Sequence, residues 1–106
     1  MGKEYKAMIK ISGKVQGVGF RYFVFKLAVA NRISGWVRNS GTGVTIEAIA
    51  SKEKLEEFIE KIRTEKPSIA EIKSLNYVLL ESCCRYFPEE GEETAFTGFE
   101  ILPSEK

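Results

Sequence analysis

Apolar and polar positions alternate from Tyr5 to Ser12: Tyr5, Ala7, Ile9 and Ile11 fall on one face, Lys6, Met8 and Lys10 on the other. A period of two is that of a half-buried β-strand. From Phe20 to Asn31 the period changes. Phe20, Phe23, Val24 and Leu27 recur at i, i+3, i+4 and i+7, which makes one stripe of an α-helix. Ile33 to Asn39 reads as a second strand, with Trp36 and Val37 on opposite faces. Ser40-Gly41-Thr42-Gly43 is a tight turn, and Val44 to Ala50 a third strand with Val44, Ile46, Ala48 and Ala50 on one face. So short a link makes these two strands a hairpin.

Ser51 is placed to cap a second helix, with Glu53 in its first turn and Leu55, Phe58, Ile59 and Ile62 on its apolar face. Pro67 marks its end. Glu71 to Glu81 is predicted as a fourth strand. Ser82 to Thr94 breaks the pattern with Cys83, Cys84, Pro88 and an acidic run, Glu89, Glu90, Glu92 and Glu93, and reads as an exposed loop. Phe96 to Leu102 is predicted as a short last strand. The order is βαββαβ plus a terminal strand. It predicts an α+β, ferredoxin-like sandwich with two helices on one face of an antiparallel-type sheet. With 106 residues, one domain over 1–106 with one core is expected. The fold by itself names no function.

Charge narrows the field. Lys and Arg number 16, Asp and Glu 15, which argues against holding nucleic acid by bulk charge. The absence of histidine excludes Ser/His/Asp and Cys/His nucleophile systems and removes the commonest metal ligand. Cys83 and Cys84 are adjacent, which disfavours a bridge between them and a disulfide-built secreted scaffold. The polar start and the lack of a long apolar run give the expectation of a soluble, cytoplasmic protein with no membrane span.

The chemistry concentrates between the first strand and the first helix. Gly13-Lys14-Val15-Gln16-Gly17-Val18-Gly19-Phe20-Arg21 holds three glycines and an arginine. Glycines let backbone N–H groups approach a ligand, a helix N-terminus adds a positive dipole end, and arginine clamps oxyanions. The string has the wrong glycine spacing for a P-loop and lacks the third glycine of a dinucleotide loop. Taken alone, it is evenly balanced between an anion site and a plain strand-to-helix turn with a solvent-facing arginine. Asn39 alone reads as a turn cap at a strand end.

The pair of strings is more specific. Gly13 to Arg21 resembles the first signature of acylphosphatases, and Gly35-Trp36-Val37-Arg38-Asn39-Ser40-Gly41-Thr42-Gly43-Val44 resembles their second. Within the family, the chain looks most like the amino-terminal acylphosphatase-like domain of hydrogenase-maturation carbamoyltransferases. Arg21-Tyr22-Phe23-Val24, Lys66-Pro67-Ser68-Ile69-Ala70-Glu71-Ile72 and Phe96-Thr97-Gly98-Phe99-Glu100-Ile101 carry that likeness. Thr42 departs from the family, which commonly has aspartate there.

The resemblance implies hydrolysis of the carboxyl–phosphate bond of an acyl phosphate, with no cofactor and no metal. Val15, Gln16, Gly17, Val18, Gly19, Phe20 and Arg21 would form the phosphate-binding loop. Arg21 would clamp the phosphoryl group and Asn39 would orient the attacking water. The partners expected are a small-molecule acyl phosphate, or carbamoyl phosphate, and inorganic phosphate as product; a monomer is expected. Three alternatives stay open: an excised or inactive domain of a carbamoyl-phosphate-using maturation factor, a phosphate-binding regulatory module, and an RNA-binding module. The last needs base-stacking aromatics on the central strands, and Gly43 to Ala50 has none.

Overall fold

The computed structural model describes residues 4–41, 43–81 and 98–103. Thr42, the Ser82–Thr94 loop with Cys83 and Cys84, and the first residues of the predicted last strand lie outside the described residues. The elements run β1 (Tyr5–Lys14), α1 (Phe20–Ala30), β2 (Ser34–Ser40), β3 (Gly43–Ala50), α2 (Lys52–Glu65), β4 (Glu71–Glu81) and β5 (Phe99–Ile101). They match the predicted order.

The alternation in β1 puts Ala7, Ile9 and Ile11 into the core, at most 2% exposed. β1 runs two residues past its predicted end. A register shift against β4 between Ser12 and Gly13 makes that possible. Such an irregularity bends a strand and re-aims the residues beyond it. In α1 the most buried line is Phe20, Val24 and Ala28, with Phe23 and Leu27 packed at its edge. Its C-terminus is closed by Asn31, whose Nδ2 donates to Leu27 O at 2.8 Å. Arg32 comes next with φ 56, in the left-handed region. In α2 the N-cap forms as expected: Ser51 Oγ accepts from the Lys54 N–H. Leu55, Phe58, Ile59 and Ile62 are buried.

The sheet order is β4-β1-β3-β2-β5. Its first four strands pair antiparallel. β5 adds a parallel pairing to the outer edge of β2, with Gly35 opposite Phe99 and Val37 opposite Ile101. The sheet is therefore mixed, a detail that side-chain periodicity does not encode. Through β5 the end of the chain returns to α1.

Close strand approach is set by glycine at Gly35, whose φ is 140 and where an added Cβ would lie 1.8 Å from Glu47 O. Gly35→Ala must displace backbone near the start of β2, where it pairs with Ala48 of β3. It should destabilise the fold by roughly 2 kcal/mol or more, read as a shift in the urea midpoint. A wild-type midpoint would show that the strands have room to part.

Candidate active site

Val15, 1% exposed, anchors the start of the loop between β1 and α1. Gly17 and Gly19 then take φ of 75 and 79. No atom lies within 4 Å of a Cβ placed on either, so backbone conformation and not crowding calls for glycine there. Gly19 is the N-cap of α1, and the helix starts with no side-chain cap and no acidic residue in its first turn. The first α-helical bond runs from the Phe23 N–H to Gly19 O at 3.0 Å. The N–H groups of Phe20, Arg21 and Tyr22 precede that bond. They present the positive end of the helix, worth about half a unit charge, to whatever sits at the loop.

Arg21, in the first turn of α1, is half-buried. Its Nη1 donates to Leu102 O over a long 3.5 Å. Guanidinium has five N–H donors, so this contact leaves most of them for a ligand. Leu102 is itself fixed by its N–H, which donates to Val37 O at 2.9 Å. Arg21 thus leans on the end of β5, two residues from Asn39 along the strand to which β5 is tied. A pocket of about 190 Å³ opens here, lined by Val15, Gly17, Gly19, Phe20 and Arg21 together with Tyr22 and Ile101.

Asn39 lies on β2 opposite Val44, on the same side of the strand as Val37, and is 9% exposed. It is not among the residues lining the pocket. What relates it to the loop is Gln16. The Gln16 side-chain amide donates to Gly41 O at 3.0 Å and to Gly43 O at 2.8 Å. The two acceptors lie two and four residues after Asn39, where β2 turns into β3. One carboxamide therefore fixes the distance between the two signature strings.

The structure thus gathers five of the seven predicted loop residues around one pocket. Val18 instead packs against the core, and Gln16 turns its side chain to the hairpin. Sequence reasoning counted Gln16 for its backbone and missed its side chain. It also missed Tyr22 and Ile101. Tyr22 was readable as the neighbour of Arg21 on the first helical turn; Ile101 was not, because its place depends on the parallel return of β5.

The acylphosphatase family model matches residues 7–101. The chain belongs to the acylphosphatase family. It is 42% identical over 96 residues to an acylphosphatase of Pseudothermotoga lettingae, covering 90% of this chain and 94% of that one. It is also 46% identical over 83 residues to carbamoyltransferase HypF2 of Cupriavidus necator, covering 78% of this chain and 10% of that protein. Among solved structures, full-length HypF in a phosphate- and nucleotide-bound form superposes with a TM-score of 0.81 and 30% identity, over 98% of this chain and 12% of that one. The acylphosphatase of Bacillus subtilis gives 0.72 and 27% identity, over 92% and 98%. The chain thus spans about a tenth of the length of the carbamoyltransferases and nearly the whole of the acylphosphatases. No helix among the described residues is long and apolar enough to cross a membrane.

The Gln16 bridge should show in the stability of the chain. Gln16→Ala removes two hydrogen bonds and should cost about 1–2 kcal/mol in urea unfolding. Gln16→Glu cannot donate and should not restore it. Full stability in either variant would mean that the bridge does not hold the turn.

Proposed function

We propose that this chain is an acylphosphatase: it hydrolyses acyl phosphates to a carboxylate and inorganic phosphate without a metal or an organic cofactor. One observation carries the reading. An uncapped helix N-terminus, a glycine loop and a half-buried arginine line one pocket, and Gln16 ties that loop to the turn after Asn39. Positive potential from fixed dipoles, with a guanidinium beside it, suits the doubly charged phosphoryl end of a mixed anhydride.

The reaction asks little else of a protein. The oxygen of water attacks phosphorus, the bond from phosphorus to the acyl oxygen breaks, and the electron pair leaves with the carboxylate. That carboxylate is a good leaving group and needs no proton from an acid. Water's proton is released with the phosphate product. Catalysis therefore consists of holding the phosphoryl group, matching its charge in the transition state and aiming the water. The loop N–H groups and Arg21 take the first two tasks. Asn39 takes the third, its amide oxygen accepting a hydrogen bond from the attacking water.

A second reading has a specific observation behind it. Full-length HypF superposes more closely than the Bacillus subtilis acylphosphatase does, and over nearly all of this chain. Under that reading the same site acts on carbamoyl phosphate as the amino-terminal part of a longer maturation protein. The chemistry is shared; the acyl group differs.

The test is hydrolysis of benzoyl and carbamoyl phosphate in the presence of chelator. Arg21→Ala and Asn39→Ala should each lower turnover by roughly 10²–10³, the usual loss when one preorganised polar group is removed from a transition state. Both variants should stay folded. Wild-type turnover in either would reject its role, and loss of activity on adding chelator would reject the metal-free reading.

A further inference from the structure

The pocket has two unlike walls. Gly17, Gly19 and Arg21 line one. Tyr22 and Ile101 form the other, and both are large apolar residues left in solvent, 59% and 41% exposed. The fold does not account for that exposure. Neither residue belongs to the core cluster or to the partly buried side chains packed against it. Each comes from a different element: Tyr22 is next to Arg21 on α1, and Ile101 is on β5, opposite Val37.

Tyr22 is also held in place. Its ring stacks on Phe25 with centroids 6.1 Å apart and planes 21° from parallel. The Lys26 ammonium stands 5.5 Å from its centroid. A ring braced in this way loses little freedom when a second flat group is laid against it, which favours binding. Val15 and Phe20, each 1% exposed, line the same pocket. A ligand whose phosphoryl end sits at Gly17, Gly19 and Arg21 has its other end beside Tyr22 and Ile101.

We propose that Tyr22 and Ile101 are the acyl-group wall of this site, and that it selects acyl phosphates with a flat apolar acyl group over acetyl and carbamoyl phosphate. This inference rests on the proposed phosphoryl site. A phenyl group covers apolar surface on both walls and leaves water as it binds. A carbamoyl group is small and keeps its hydrogen bonds to water instead. Removing a few tens of Å² of apolar surface from water is worth about tenfold in kcat/KM.

The experiment measures kcat/KM for benzoyl, acetyl and carbamoyl phosphate, each divided by its spontaneous rate of hydrolysis. It uses the wild type, Tyr22→Ala, Tyr22→Phe and Ile101→Ala. The wild type should favour benzoyl phosphate by about tenfold. Tyr22→Ala should erase most of that ratio, through KM more than kcat. Tyr22→Phe should keep it, and Ile101→Ala should lower it by a smaller factor. The wall is wrong if Tyr22→Ala lowers all three substrates by one factor, or if the wild type favours carbamoyl phosphate. Turnover of none of the three by the wild type would overturn the hydrolytic reading, and the wall with it. Turnover with an unchanged ratio overturns the wall alone.

Discussion

Two hydrogen bonds from Gln16 to the carbonyls of Gly41 and Gly43 set the geometry on which the site depends. The Val15–Gly19 loop and the strand bearing Asn39 belong to different parts of the chain and meet at two glycine-rich segments. Glycine supplies the backbone conformation at Gly17, Gly19 and Gly41, but it also leaves the unfolded chain more freedom to lose. Preorganised catalysis needs these segments to stop moving relative to each other. A side chain with two amide hydrogens, placed between two carbonyls, meets that need without adding charge to the pocket.

The second tie runs through β5. Its parallel pairing with β2 places Leu102 where its N–H meets Val37 and its carbonyl meets the Arg21 guanidinium. The long contact at 3.5 Å orients the arginine without using up its donors. The same return brings Ile101 to the pocket. One short strand therefore supports Arg21 and contributes Ile101 to the pocket beside it.

Much of the fold was legible because its signals are local. The alternation of Tyr5, Ala7, Ile9 and Ile11, the stripe of Leu55, Phe58, Ile59 and Ile62, and the Ser51 cap each lie within a few residues, and each is seen in the structure. The resemblance of the two strings to acylphosphatase signatures carried the family, which the match over residues 7–101 shows. The illegible part is non-local. The direction in which β5 pairs depends on the whole topology, and Ile101 is drawn to the pocket only as its consequence. Gln16 illustrates a different limit. Its position in a loop signature pointed to the backbone, because sequence does not say where a flexible carboxamide finds acceptors twenty-five residues away.

The glycines near the site divide by physical cause, and the division bears on what can change. At Gly17 and Gly19 nothing crowds the missing Cβ, so only the left-handed backbone is at stake. Asparagine tolerates that region better than other side chains, so the loop keeps a limited tolerance. At Gly43, the first residue of β3, an added Cβ would lie 2.0 Å from Ile11 O of the paired strand β1. No choice of side chain relieves that contact, because every one carries the same first carbon. Gly43 O is also an acceptor for Gln16. Parting the strands to admit a side chain at Gly43 would thus move the acceptor that ties the loop to the hairpin. The loop between β1 and α1 is therefore less constrained in sequence than the turn that holds it.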